Sequence, residues 1–247
     1  MSIGLAAFIG VVTVVTAFLT GIFGMAGGLV LMGVLVVILP VPEAMILHGV
    51  TQTASNGSRI VMMRGFVAWR IVLRFALGGA VPVGVLSLIL FVPDKGVVLL
   101  GIGLLPFVSL AMPAHLVPRV DRGGGAVWCG TSCMVLSLTA GVAGPLLDLF
   151  FVRSDLDRRQ IVATKAACNT ILHVTKTAYF GAIVGVAGTS LPGWLLAMAL
   201  VLPLLGNWLA RPVLERMNND QFRVWTRVLV LMIGTYYLVQ GAVYYLA

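Results

Sequence analysis

Five ionisable side chains inside otherwise apolar stretches are the residues best suited to chemistry: His48, Arg59, Lys165, His173 and Lys176. A charge at membrane depth is costly unless it is paired or hydrated, so such residues are functional candidates by default. Together they predict a binding site for an anion. Arg59 also lies near the end of its stretch, where a long basic side chain commonly extends to the membrane surface. For one of the two lysines, an ion pair with Asp148 is the structural alternative.

Neutral polar side chains accompany these cations. Gln52 and Asn56 are one helical turn apart, as are Asn169 and His173. Amide groups at membrane depth bind either the oxygen atoms of a substrate or a neighbouring helix. We favour contact with a substrate for Gln52, Asn56 and Asn169, because they share their stretches with the cations.

Two glycine-rich clusters interrupt the apolar pattern, Gly24–Gly28 and Gly141–Pro145. Glycine permits a sharp turn, and a helix that starts after it presents free N–H groups and a positive dipole end, which attract anions. Close packing of helices through small residues is the alternative. Two clusters at matching positions favour a binding site, so Gly27, Gly28 and Gly144 join the candidate residues.

The composition decides the class of protein that positions these residues. Of the 247 residues, 60% are hydrophobic and only 10% are charged, and the mean hydropathy is +1.08. A soluble domain carries about a quarter charged residues, so a soluble enzyme and a nucleic-acid-binding domain are excluded. The chain is expected to be an all-α integral membrane protein in the lipid bilayer. Its net charge of +8 then reflects basic cytoplasmic loops.

Ten apolar segments follow from the charges and the Gly/Pro breaks, and two of them are too short to span a membrane. They are Ile3–Ile22, Leu29–Leu39, Ala44–Met63, Ile71–Val92, Val97–Met112, Ala126–Ala140, Leu146–Val152, Ile161–Phe180, Trp194–Ala210 and Val224–Leu246. Both short segments, Leu29–Leu39 and Leu146–Val152, follow a glycine cluster.

An internal repeat relates the two halves of the chain at an offset of 117 residues. This shift pairs Gly24 with Gly141, and it brings polar and cationic positions into register inside apolar helices. The pairs are His48 with Lys165, Gln52 with Asn169, Asn56 with His173, and Arg59 with Lys176. We therefore divide the single membrane domain into a first repeat, 1–120, and a second repeat, 121–247.

Loop charges predict that the two repeats have opposite orientations. The connection after Ala44–Met63 is basic, whereas its equivalent, Gly181 to Gly193, carries no charge. The next connection shows the opposite difference, with several arginines between residues 211 and 227. Basic loops mark the cytoplasmic side, so we expect two inverted repeats with both termini outside. Each would be a broken helical hairpin plus three transmembrane helices; full spanning of every long segment is the rival topology.

Motifs for catalysis or cofactor binding are scarce. The sequence has no phosphate-binding glycine loop placed between strand and helix and no zinc-protease motif, and its acids are too few for paired-carboxylate chemistry. The three cysteines lack metal-ligand spacing and are expected to be packing residues. We expect neither enzymatic activity nor a cofactor.

The sequence resembles the sulfite exporter TauE/SafE permeases. The resemblance rests on the glycine-rich breaks, the polar helix Gly49–Asn56, Gly65 before Trp69, and Ala163-Thr164 in the second half. It covers both halves and implies transport of sulfur-containing anions, such as sulfite or organosulfonates, across the bacterial inner membrane. Lys165 and Asp148 stand where it leads us to expect uncharged residues, and Pro145 where it leads us to expect glycine.

These observations together predict a multi-pass secondary transporter that moves a small anion, a sulfite, organosulfonate or related oxyanion, by alternating access. The alternative is an anion channel with the same cationic lining. Proton coupling is compatible with His48 and His173, which titrate near neutral pH. A homo-oligomeric assembly is also compatible with the sequence.

Overall fold

The computed structural model describes residues 3–23, 25–183, 191–216 and 219–246, and within them the chain forms ten α-helices and no strand. The helices are α1 (Ile3–Phe23), α2 (Ala26–Ile38), α3 (Val41–Met63), α4 (Trp69–Leu88), α5 (Lys95–Ala111), α6 (Gly125–Thr139), α7 (Gly144–Phe151), α8 (Arg158–Ala178), α9 (Gly193–Arg216) and α10 (Asn219–Leu246). A π-helical turn, Tyr179–Ile183, extends α8, and the sequence pattern did not predict it.

The lengths of these helices fit a membrane protein with two interrupted segments. Among the described residues, α1, α4, α9 and α10 are long and apolar enough to cross a bilayer. The 13 residues of α2 and the 8 of α7 rise about 20 Å and about 12 Å, short of the roughly 30 Å hydrocarbon core. The protein is therefore an all-α, multi-pass membrane protein in which α2 and α7 are each too short to cross the bilayer alone.

The first break differs from the sequence expectation. The second helix was predicted to begin at Leu29, but α2 begins at Ala26, so Gly27 and Gly28 form its first turn. A Cβ on Gly27 would overlap the carbonyl oxygen of Thr16 in α1. The missing side chain therefore lets α2 pack directly onto the backbone of α1. Gly24, the first residue of the cluster, lies outside the described residues.

The second break is an unwound segment of the predicted kind. The chain leaves the helix after Thr139, and α7 begins at Gly144 with Pro145 in its first turn, where a missing N–H costs nothing. Gly141 lies between them with a φ of +78°, a conformation that L side chains rarely adopt. The backbone turns sharply here and leaves the Gly141 carbonyl free for a side chain.

Helix pairing joins the two halves of the chain. Helix α1 packs against α9, and α4 packs against α6. Both pairs are close because glycine meets backbone. A Cβ on Gly206 would come within 2.5 Å of the Val14 carbonyl oxygen, and one on Gly130 would overlap the Phe75 carbonyl oxygen. Such contacts are how membrane helices gain packing energy without a hydrophobic drive.

Helices α3 and α8 cross at the centre of the molecule, and α5 packs against α10. A Cβ on Gly49 of α3 would overlap the Thr177 hydroxyl oxygen of α8, so glycine permits the crossing. Each half thus contributes helices in the same order, and each pairing within the set has a counterpart. The opposite orientation of the halves stays a prediction. Part of the uncharged connection used to infer it, residues 184–190, lies outside the described residues.

An ion-pair network ties together the loops after α5 and after α7. The Arg119 guanidinium pairs with Asp121 at 2.8 Å and with Asp155 at 2.5 Å, and Arg122 also pairs with Asp155 at 2.8 Å. Hydrogen bonding to Arg119 is the largest influence on Asp121 and lowers the pKa of its carboxyl from 3.8 to about 2. The network fixes the loop in front of α8, which Asp157 starts with a capping box.

Candidate functional site

A cavity of about 540 Å³ lies where the two breaks meet the crossed helices α3 and α8. Its wall is built from the end of α1, the first turns of α2 and α7, one face each of α3 and α8, and Thr226 of α10. The two breaks touch, because a Cβ on Gly144 would lie 3.0 Å from the Cβ of Met25. Both halves of the chain therefore contribute to one site.

Arg59 is a cation of this cavity without an ion-pair partner among the described residues. Its side chain is half-buried, lines the cavity, and donates from Nη2 to the Thr20 carbonyl oxygen at 3.3 Å. It therefore lines the binding space, although it lies near the end of its helix. The guanidinium has five N–H donors and uses one of them here, so the others can bind an anion.

Lys165 faces the same cavity but is paired. Its ammonium forms an ion pair with the carboxylate of Asp148 in α7, and the two side chains are 27% and 33% exposed. These are the two charged residues that depart from the pattern of the resembled family, and each neutralises the other. The structural alternative weighed for the lysines thus applies to Lys165.

Two amide side chains at repeat-related positions, Gln52 and Asn169, also line the cavity. Neither amide hydrogen-bonds another described residue, so both are free to bind a ligand. Asn56, one turn beyond Gln52, donates from Nδ2 to the Gln52 backbone carbonyl at 2.9 Å, which leaves its side-chain oxygen as an acceptor. The site therefore offers amide donors from both crossed helices.

A chain of hydrogen bonds closes the inner end of the cavity. His48 Nε2 lies 3.0 Å from the Gly28 carbonyl oxygen, and its Nδ1 lies 2.7 Å from Lys176 Nζ. Lys176 Nζ also donates to the Gly141 carbonyl oxygen at 2.7 Å. Because a carbonyl oxygen can only accept, His48 Nε2 carries the proton and donates a hydrogen bond to Gly28. His48 Nδ1 is then unprotonated and accepts a hydrogen bond from Lys176 Nζ. We call these three hydrogen bonds the His48–Lys176 bridge. They join the first break to the second.

His173 stands beside this bridge with an unused nitrogen. Its ring centroid is 5.3 Å from that of His48, it is 7% exposed, and it lines the cavity. Its Nδ1 is buried and has no hydrogen-bond partner within the described chain. Buried polar atoms in native proteins nearly always have a partner, so an orphan in a cavity wall marks a place for a ligand or a water.

Beyond the bridge, the residues of α8 and its π-helical turn that the structure describes are tightly packed. Lys176, Tyr179 and Phe180 are fully buried. The Tyr179 hydroxyl lies 3.0 Å from the Leu86 carbonyl oxygen and 2.9 Å from that of Phe91. It holds the end of α8 against the connection between α4 and α5. The cavity consequently ends blindly at the two histidines.

Nine of the eleven residues proposed from sequence line the cavity: Gly28, His48, Gln52, Asn56, Arg59, Gly144, Lys165, Asn169 and His173. Gly27 does not, since it packs against α1, and Lys176 lies behind His48. The sequence analysis missed Thr20, Arg158 and Thr226, which also line the cavity. The hydroxyl of Thr226 is buried without a described partner. Nothing in the apolar pattern distinguishes these threonines from structural ones.

The described part of the chain holds no cluster of three or more His, Cys, Asp or Glu side chains that could bind a metal. The thiols of Cys129 and Cys133, 4.0 Å apart, are buried in the core, as is Cys168. The cationic and amide side chains that line the cavity suit recognition of negative charge and of oxygen acceptors.

Comparison with known proteins agrees with this chemistry. The family model described as sulfite exporter TauE/SafE matches residues 8–237, nearly the whole chain and both breaks. No curated protein matches the chain, and no solved structure does. The match includes every residue that lines the cavity. The chain belongs to the sulfite exporter TauE/SafE family, a family of membrane transporters.

Proposed function

We propose that the protein is a secondary transporter for a small sulfur oxyanion, sulfite or an organosulfonate, and that it works by alternating access in the bacterial inner membrane. Family membership supports a membrane transporter of sulfur anions rather than an enzyme. The cavity supports the alternating-access mechanism and the choice of a small oxyanion as substrate.

The observation that carries the proposal is a cationic cavity that ends blindly in the middle of the molecule. Transporters built on broken helices bind substrate near the bilayer midplane, at the interface between halves. Here the first turns of α2 and α7, one from each half, meet α3 and α8 at the cavity. A conducting channel needs a continuous path, and the buried Tyr179 and Phe180 lie beyond the inner end of the cavity. This arrangement supports a carrier rather than a channel.

Binding would combine the charge of Arg59, with the exposed Arg158 also in the cavity wall, and several directed donors. Arg59 offers spare guanidinium donors, and the geometry of a guanidinium suits two oxygens of one oxyanion. The amides of Gln52 and Asn169 would bind further oxygens. The free N–H groups at the start of α7, near Gly144, would add a positive dipole end.

Proton coupling is part of the proposal. His48 and His173 both line the inner end of the cavity, and no carboxylate pairs with either among the described residues. A proton taken up by this histidine pair would be compensated by the bound anion, and binding of the two would then be mutually favourable. We expect sulfite to bind more tightly at lower pH, because protonation of the histidine pair adds positive charge beside the bound anion.

The test is transport of labelled sulfite into proteoliposomes that contain the purified protein. Arg59→Gln removes the proposed substrate charge and should lower the apparent affinity by about tenfold to a hundredfold, the value of a charge-assisted hydrogen bond. The matched control is Arg64→Gln, the same chemical change at an exposed arginine five residues later that does not line the cavity. Equal behaviour of the two variants would remove Arg59 from the site.

Counterflow separates the carrier from the channel. Unlabelled sulfite inside the vesicles accelerates entry of labelled sulfite through a carrier, because the loaded protein returns faster than the empty one. A channel shows no such acceleration and gives single-channel currents in planar bilayers. Acceleration is the expected result, and its absence together with channel currents would replace the proposal by the channel.

A further inference from the structure

The predicted orientation puts the end of α3, with Arg59 and the mouth of the cavity, on the cytoplasmic side, so the present state would be the inward-open one. We propose that Lys176 is the anion-binding cation of the outward-open state, where it takes the role that Arg59 has in the present one. The inference rests on the alternating access proposed above and adds a second, now hidden, anion site to it. This site would be formed by Lys176, His48 and the Gly141 carbonyl region, and its ligand is the same class of small oxyanion.

The first observation is a buried lysine amine whose hydrogen-bond partners are both uncharged groups. Lys176 is 0% exposed, and its Nζ contacts one carbonyl oxygen and one imidazole nitrogen, both at 2.7 Å. No carboxylate within the described chain lies in ion-pair distance of it. Burying a charge without a counter-charge is expensive. Residues kept at such cost inside membranes usually serve transport.

The second observation is the relation between Lys176 and Arg59. Lys176 follows Arg59 by 117 residues, the offset that relates the repeats. Arg59 donates to the carbonyl of Thr20, just before the first break, and Lys176 donates to the carbonyl of Gly141, inside the second break. Each cation thus donates to a backbone carbonyl of its own repeat, close to or within the break of that repeat. The two carbonyls are not at equivalent positions, since Thr20 lies in the last turn of α1 and Gly141 lies in the break itself.

The third observation is that the two cations lie on opposite sides of the histidine pair. Arg59 is half-buried and faces the open cavity. Lys176 lies behind His48, where Tyr179 and Phe180 separate it from the far end of the protein. In a carrier made of related halves, the two end states exchange the roles of equivalent groups. Opening the far end would expose Lys176, and closing the near end would bury Arg59.

The His48–Lys176 bridge explains how the hydrogen-bond donors of Lys176 are satisfied while no substrate is bound to it. In the present state the Gly141 carbonyl and His48 occupy donors of the ammonium that an anion would otherwise take. Opening separates the two breaks that the bridge joins, so these donors become free when the far side becomes accessible. An oxyanion that enters then supplies the negative charge that Lys176 lacks here.

The experiment uses a functional variant with serine at the three native cysteines, in sealed membrane vesicles of known orientation. The ligand is an organosulfonate, because sulfite would cleave the disulfide that a methanethiosulfonate reagent forms. Lys176→Cys should lower the affinity for the organosulfonate at the outer face by about tenfold or more, as expected for a lost charge-assisted contact. A 2-aminoethyl methanethiosulfonate added outside, with free cysteine inside to quench it, attaches a lysine-like ammonium. We expect this reagent to restore transport, whereas the uncharged methyl reagent should not.

Arg59→Cys is the matched control, and it should react with the charged reagent from the inner face only. If Lys176→Cys is modified from neither face while Arg59→Cys reacts as expected, Lys176 is a structural residue and the inference fails. If the parent without cysteines shows no sulfite counterflow, the proposed function fails instead. Lys176→Arg guards against misfolding, since it keeps the charge. A folded Lys176→Arg protein whose outer affinity equals that of Lys176→Cys would also overturn the inference.

Discussion

The ion pair between Lys165 and Asp148 makes a sharp prediction, because it places one positive and one negative charge side by side in the wall of an anion site. Three variants separate its roles: Lys165→Gln, Asp148→Asn and the two combined. If Lys165 serves to neutralise Asp148, the effect on anion binding depends on the net charge of the pair alone.

The magnitude follows from Coulomb's law in a partly hydrated cavity. An anion about 6 Å from a bare carboxylate, at an effective dielectric constant of about 40, is repelled by about 1.4 kcal/mol, or about tenfold in affinity. Lys165→Gln should therefore weaken sulfite binding about tenfold, and Asp148→Asn should strengthen it by a similar factor. The double variant, whose pair is again neutral, should bind about as the parent does. In the parent protein, the partly exposed ion pair between Lys165 and Asp148 contributes no more than about 1 kcal/mol to the free energy of unfolding. The loss of the pair should therefore leave all three variants folded.

Isothermal titration of the purified protein with sulfite, at one fixed ionic strength, measures all four affinities. Thermal unfolding without sulfite checks that the variants fold. The expected pattern is a loss, a gain and a recovery. A double variant that binds as weakly as Lys165→Gln would show that the ammonium itself contacts the anion, and the neutralising role would then be refuted.

Three further predictions concern the scaffold. Gly130→Ala would bring a methyl group into overlap with the Phe75 carbonyl oxygen, and it should lower the free energy of unfolding by about 1–3 kcal/mol. The control is Gly84→Ala, which has open space around it and should stay within about 0.5 kcal/mol of the parent. Equal losses of stability in thermal unfolding would contradict this packing. Asp121→Asn should lower the unfolding midpoint at pH 7. The pKa of Asp121 is about 2 in the folded protein against a usual 3.8, so the difference in midpoint between parent and variant should vanish as the pH falls from about 4 to about 2. A difference in midpoint that does not depend on pH would exclude the ion pair as its cause. A cysteine introduced at Arg216, with the native cysteines replaced, should react with an impermeant reagent from the cytoplasmic face only, and labelling from outside would reverse the predicted orientation.

Much of the site could be predicted because its signals are local. Glycine clusters often mark helix breaks, and ionisable side chains in apolar helices are functional candidates by default. The offset between Gln52 and Asn169 placed both amides at the same helical level. Those inferences needed only spacing, and the cavity does contain both residues.

The sequence could not predict which polar side chains face the cavity and which are buried, because that depends on how distant helices pack. Lys176 has the same local pattern as Arg59, yet one is sealed and the other faces the cavity. The difference arises from packing around Tyr179, more than eighty residues in sequence from its hydrogen-bond partners. The start of α2 at Ala26 was likewise decided by contact with α1, not by the helix propensity of its glycines.

The pairing of α1 with α9 and of α4 with α6 has a consequence for biosynthesis. Residues 1–120 enter the membrane first, but the backbone faces of α1 and α4 can close only when helices of the second half have been inserted. Until then, the glycine-facing grooves beside Val14 and Phe75 contact lipid, which packs poorly against exposed backbone. The first half alone is therefore an assembly intermediate with unfilled grooves, open to membrane-embedded chaperones and proteases until the last helices arrive. The folding unit is the entire chain, even though its sequence divides into two.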